Sequence, residues 1–121
     1  MKFFQSLAIT MLVLFTATAS SHTTVAQTIP KNGSVLEQSP AAVEIRFANF
    51  ARMTSAVLVG EDKQERRLEF TPTGRAESFN MPEPDLGPGH NEIRWKALSD
   101  DGHVISGSLI YTIKPNVEKT K

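Results

Sequence analysis

The chain has 121 residues, with 13 basic and 13 acidic side chains and no cysteine. That balance leaves no electrostatic footprint for nucleic acid or anionic lipid. The lack of thiols excludes disulfides, thiolate metal sites and lipid attachment through cysteine.

The first element in chain order is a leader. Met1-Lys2 gives a positive start, residues 3–17 are mostly apolar, and Thr18, Ala19, Ser20 and Ser21 are small. This is the three-part grammar of a secretory signal. The apolar stretch is short against the about 20 residues that a membrane span needs. The signal is assigned to residues 1–21, a single domain to 22–115 and a short polar tail to 116–121. Two cleavage points fit the small-residue rule. A cut after Ser21 releases His22 first, and a cut after Ala19 releases Ser20 first. Loss of Lys2 from the 13 basic residues leaves 12 against 13 acidic ones, so the mature chain stays near neutral. No later segment is apolar enough to cross a membrane, and the mature chain is expected to be soluble.

Beyond the leader, turn signals recur at short intervals: Pro30 with Asn32-Gly33, Ser39-Pro40, Gly60 with Asp62, Pro72 with Gly74, residues 82–89, and Asp100-Asp101-Gly102. The segments between them alternate with period two. Val43, Ile45 and Phe47 share one face. Val57 and Val59 lie in a second apolar run, and Leu68 and Phe70 mark another short strand. Ile93, Trp95 and Ala97 share a face, as do Leu109, Tyr111 and Ile113. No stretch has helical periodicity. Many short strands at this spacing predict an all-β, two-sheet sandwich. Trp95 is expected between the sheets, Met53 and Met81 as packing residues, and 82–89 as a surface loop with His90 as a turn residue.

The chemistry-bearing residues lie far apart in sequence. Cleavage before His22 gives that residue a free α-amine beside its imidazole. Asp101 and His103 flank Gly102, and two residues apart in an extended segment point to the same side. If the two pieces meet, they form a nitrogen-rich set that suits Cu(II), which prefers tetragonal N/O coordination. Cleavage before Ser20 leaves Ser20-Ser21-His22, a terminus that chelates the same ion through its amine, two amides and a third-position imidazole. Taken alone, Asp100-Asp101-Gly102 reads as a strand-joining turn.

Two stretches resemble the CopC family of periplasmic copper-binding proteins. One is Pro30-x-x-Gly33-x-x-Leu36-x-x-x-Pro40-x-x-Val43-x-Ile45-x-Phe47. The other, more specific, is Trp95-x-x-x-Ser99-x-Asp101-Gly102-His103-x-x-x-Gly107-x-x-x-Tyr111. The resemblance implies an immunoglobulin-like Greek-key β-sandwich or barrel of about seven strands. It implies one Cu(II) held by His22, Asp101 and His103, a periplasmic location, and a role as copper carrier or buffer without enzymatic activity. It also implies an inner-membrane copper-transport partner, here on a separate chain. The sequence departs from relatives at Thr24, where many have a second histidine. A methionine-rich Cu(I) loop is also missing, since only Met53 and Met81 follow the leader. Two other readings stand beside this one. One is a copper histidine-brace oxidase or monooxygenase, and the other is a metal-free sandwich that acts as an interaction module.

Overall fold

The computed structural model describes residues 24–116. The expected signal peptide, His22 and tail residues 117–121 lie outside the described residues. Seven strands follow one another: β1 Val25–Ile29, β2 Val35–Leu36, β3 Ala42–Val59, β4 Glu65–Arg67, β5 Arg75–Pro82, β6 Gly89–Ser99 and β7 Val104–Ile113. There is no helix among the described residues. The all-β, seven-stranded expectation matches this architecture.

The 18-residue β3 organises the fold. The sequence pattern divides this region into two strands, at Val43–Phe47 and around Val57. The structure joins them, because no glycine, proline or turn dipeptide interrupts residues 48–55. The first half of β3 pairs antiparallel with β1 and β5. Its second half pairs with β4 and β6. Register shifts between Arg46 and Ala51 on the β5 side, and between Met53 and Ser55 on the β6 side, mark where the strand bends. Such bulges let one strand pass from one layer to the other. β6 then pairs with β7, and β2 adds to β7 in parallel. The result is a curled sheet of seven strands folded onto itself.

The core fills the space between the layers. Val43, Ile45 and Phe47 of β3 face Phe79 and Met81 of β5, together with Ile93, Trp95 and Ala97 of β6 and Leu109, Tyr111 and Ile113 of β7. The β3, β6 and β7 residues are the alternating positions of the sequence, all buried, and Phe79 and Met81 of β5 join them. The Phe47 ring stands edge-on to Phe79 at 5.9 Å and to Trp95 at 5.3 Å, a favoured arrangement for aromatic quadrupoles. Met53 and Met81 are core residues, as expected.

Two boundaries differ from the sequence reading. Leu68 and Phe70 do not form a strand. β4 is Glu65–Arg67, and the two apolar residues follow it, Leu68 in the core and Phe70 packed against it. β4 is a short edge strand with all three side chains exposed, so hydrophobic alternation has nothing to register there. His90 is the second residue of β6 and not a turn residue. It is exposed, and its amide donates to Glu61 Oε2 at 2.9 Å.

Tyr111 closes one end of the core. Its hydroxyl donates to the Pro30 carbonyl at 2.6 Å, tying the β1–β2 connection to β7. Burial pushes its phenol up from the usual value, against a lowering hydrogen bond with Thr28. A raised acid pKa means that the fold favours the protonated phenol. That contribution is therefore intact below the unfolded value of about 10 and is lost as pH rises through the folded pKa. Tyr111→Phe should lose about 1 kcal/mol near neutrality and show a flatter alkaline loss of stability than the parent chain. Urea unfolding at a series of pH values above neutrality measures both effects, with the lysines titrating alike in the two proteins.

Candidate metal centre

The hairpin between β6 and β7 carries the two described residues of the expected site. Leu98 and Val104 form the last strand pair. Beyond it the Ser99 amide donates to the His103 carbonyl at 2.9 Å, and the Gly102 amide donates to the Ser99 carbonyl at 3.0 Å. Gly102 sits at φ +87, a left-handed conformation that a side chain would strain. A turn ended by one left-handed glycine is a standard way to close a hairpin whose loop exceeds two residues.

Asp101 and His103 do come together, but not through the extended-strand geometry expected from their spacing. Both lie in the turn, ahead of β7. Asp101 Oδ1 accepts the His103 backbone N–H at 3.2 Å, folding the carboxylate back over the chain two residues on. Asp101 Oδ2 then meets His103 Nδ1 at 2.9 Å. Ser99, 4% exposed, completes the arrangement. Its hydroxyl donates to Asp101 Oδ1 and also lies 3.1 Å from the His103 carbonyl. One carboxylate oxygen is thus held by the turn while the other faces the imidazole.

The separation of Nδ1 and Oδ2 permits a test of fit to a metal ion. Two donors at about 2.0 Å from an ion, at a right angle, stand about 2.8 Å apart. The observed 2.9 Å is the length of an ordinary imidazole–carboxylate hydrogen bond and lies close to that spacing. The imidazole is 64% exposed and the carboxylate 28%, so an ion in water can reach both. Among the described residues no group of three or more His, Cys, Asp or Glu could hold a metal. The pair supplies two donors, and His22, the expected third, lies outside the described residues.

A second constellation surrounds the turn, and the sequence reading missed it. Arg75, the first residue of β5, bonds both oxygens of Asp100, Nε to Oδ1 at 2.7 Å and the terminal nitrogen to Oδ2 at 2.6 Å. Its guanidinium lies over the Phe50 ring at 4.1 Å. The guanidinium holds the Asp100 carboxyl below its usual range, and Asp100 in turn raises Arg75. Nothing in the sequence links positions 50, 75 and 100; the bend in β3 brings them together. Ser99 stood in the quoted motif, two residues before Asp101, but a serine at a strand end has many ordinary uses. His90 lies at the other end of β6, about 30 Å of extended strand from the pair.

Removing the Ser99 hydroxyl frees Asp101 Oδ1 from its buried tether. Partners that orient a metal ligand typically carry 10–100-fold in affinity. With Asp101 as the expected Cu(II) ligand, Ser99→Ala should weaken Cu(II) binding about tenfold in a competition titration, with the strands intact by circular dichroism.

Fold and site together define a class: a small β-sandwich domain that carries a carboxylate–imidazole pair on the tip of an exposed hairpin. Residues 25–114 match the CopC domain model. The chain belongs to the CopC family. Copper resistance protein C of Pseudomonas syringae pv. tomato is 24% identical over 112 residues, 84% of this chain and 88% of that protein. The crystal structure of CopC from Methylosinus trichosporium OB3b superposes with a TM-score of 0.67 at 18% identity, over 82% of this chain and all of that one. PcoC, a methionine-rich copper resistance protein from Escherichia coli, superposes with a TM-score of 0.58 at 21% identity, over 78% of this chain and all of that one. At these identities the two structures establish the fold.

Proposed function

We propose that this protein is a periplasmic Cu(II) carrier or buffer serving copper tolerance, with one ion held by His22, Asp101 and His103. The observation that carries the reading is the 2.9 Å approach of His103 Nδ1 to Asp101 Oδ2 on an exposed, hydrogen-bonded turn. Coordination there needs a deprotonated imidazole nitrogen, so the ion takes the place of a proton between the two groups. Residues 1–21 act as the export signal, and their removal creates the amine that completes the site. An anionic oxygen with several nitrogens favours the oxidised ion over Cu(I), which prefers thioethers. The two methionine side chains after the signal are buried in the core, 2% and 0% exposed, so they make no soft surface site. Release to a separate inner-membrane transport protein fits a site placed at a hairpin tip, where a partner can approach it.

The oxidase reading is weaker. Trp95 and Tyr111 are both core residues and offer no aromatic platform for a sugar polymer. Phe50 is 41% exposed near the turn, but Arg75 covers its face.

Thermal unfolding with and without Cu(II) tests the proposal against a metal-free module. A ligand that binds only the native state stabilises it by mass action, by about 2.7 kcal/mol at a hundredfold excess over Kd. A Cu(II)-dependent rise in Tm is expected for protein that begins at His22. An unchanged Tm at saturating Cu(II) would sink the proposal.

A further inference from the structure

The turn that holds Asp101 carries a second carboxylate, Asp100, directly beside it. Two adjacent carboxylates on an exposed turn are an oxygen-rich lure for hard divalent cations, which take Asp and Glu oxygens. In this fold Asp100 is not available for that role. Arg75 grips it fork to fork, with one nitrogen on each oxygen. The paired N–H groups of an arginine match a carboxylate in this way, and a lysine cannot reproduce it. The guanidinium is itself fixed from behind by the Phe50 ring.

We propose that Arg75 is a positioning and specificity residue for the metal centre. By holding Asp100 away from an entering ion, it makes the turn offer one carboxylate and one imidazole nitrogen in place of two carboxylates. This inference rests on the copper reading of Asp101 and His103. The clamp has little to do with stability. Arg75 and Asp100 are 54% and 51% exposed, and exposed ion pairs contribute little to folding. Its consequence is a choice of metal. Mixed nitrogen and oxygen donors suit Cu(II), while clustered carboxylates suit Mn(II) and Mg(II). Arg75 also cancels one of the two negative charges of the turn, which lowers the general attraction for divalent cations. A further effect is orientation, because Asp100 precedes Asp101 and tethers the start of the turn to β5.

The test compares the mature protein with Arg75→Gln, Asp100→Asn and the double variant. Three readouts are taken: Cu(II) affinity by competition, the Cu(II) electron paramagnetic resonance spectrum, and loss of the free Mn(II) resonance on titration. Arg75→Gln is expected to lower the preference for Cu(II) over Mn(II) about tenfold, the scale of groups that orient a ligand. Its copper spectrum should move toward more oxygen coordination. The double variant, lacking the released carboxylate, should regain the parent's low Mn(II) uptake. That rescue separates specificity from a merely structural role, which would leave the double variant no better than Arg75→Gln. Parent protein that binds Cu(II) with the same metal preference and spectrum as Arg75→Gln overturns this inference alone. Parent protein that takes up no Cu(II) overturns the copper reading and this inference with it.

Discussion

Alanine at both Asp101 and His103 should abolish tight Cu(II) binding, with a loss of more than about a hundredfold. Removing even the partner of one metal ligand typically costs 10–100-fold, and this variant removes two of the three proposed donors outright. The fold should survive. Both side chains lie on the hairpin tip and neither belongs to the core. The turn would lose the Asp101 contacts with Ser99 and the His103 amide. At about 1 kcal/mol for each of these two bonds, the metal-free Tm of a domain this size should fall by about 8–16 °C. The diagnostic result is therefore a split: near-parent strand content without metal, and no Cu(II)-dependent rise in Tm. A double variant that keeps the parent's affinity would show that copper binds elsewhere on the chain.

Trp95→Ala should produce the largest change in stability, about 3–5 kcal/mol. The indole is 6% exposed and meets Phe47 edge-on at 5.3 Å, joining β6 to the first half of β3 across the core. It also covers Gly107 on β7, its partner in register. A Cβ at Gly107 would stand 2.7 Å from Trp95 Cζ2, so the glycine is what lets the ring lie flat there. Removing the ring would leave a cavity between two layers whose backbones are fixed by their ladders, with little scope for collapse. For a domain of this size the loss corresponds to a fall of at least about 12 °C in Tm, measurable by circular dichroism. A change under about 1 kcal/mol would mean that the layers close without the indole.

The sequence made the core legible because period-two alternation records burial directly. Val43-x-Ile45-x-Phe47, Ile93-x-Trp95-x-Ala97 and Leu109-x-Tyr111-x-Ile113 all fall inside as their pattern requires. Edge elements were less legible. β4 is short and fully exposed, so no alternation marks it, and the nearby pair Leu68 and Phe70 mimics a strand while serving only as packing. The joined β3 shows a different limit. Alternation breaks at the bulges around residues 47–50 and 54, which a reader of the sequence takes for the end of a strand. At the candidate site, Asp101 and His103 were legible as a pair because they are close in sequence. The cause of their approach was not, since it depends on a backbone turn at Gly102 and on the Ser99 hydroxyl. Arg75 was invisible for the same reason that Phe50 was. Their meeting with Asp100 is a property of how β3 bends and β5 begins, which no local pattern encodes.

The deciding experiment is competitive Cu(II) titration of exported protein whose intact mass shows that it begins at His22. A site built from His22, Asp101 and His103 should hold one equivalent of Cu(II) tightly against an amino-acid competitor such as glycine, and lose it when Asp101 and His103 are replaced. Failure to hold copper against that competitor would contradict it, as would equal retention by the double variant.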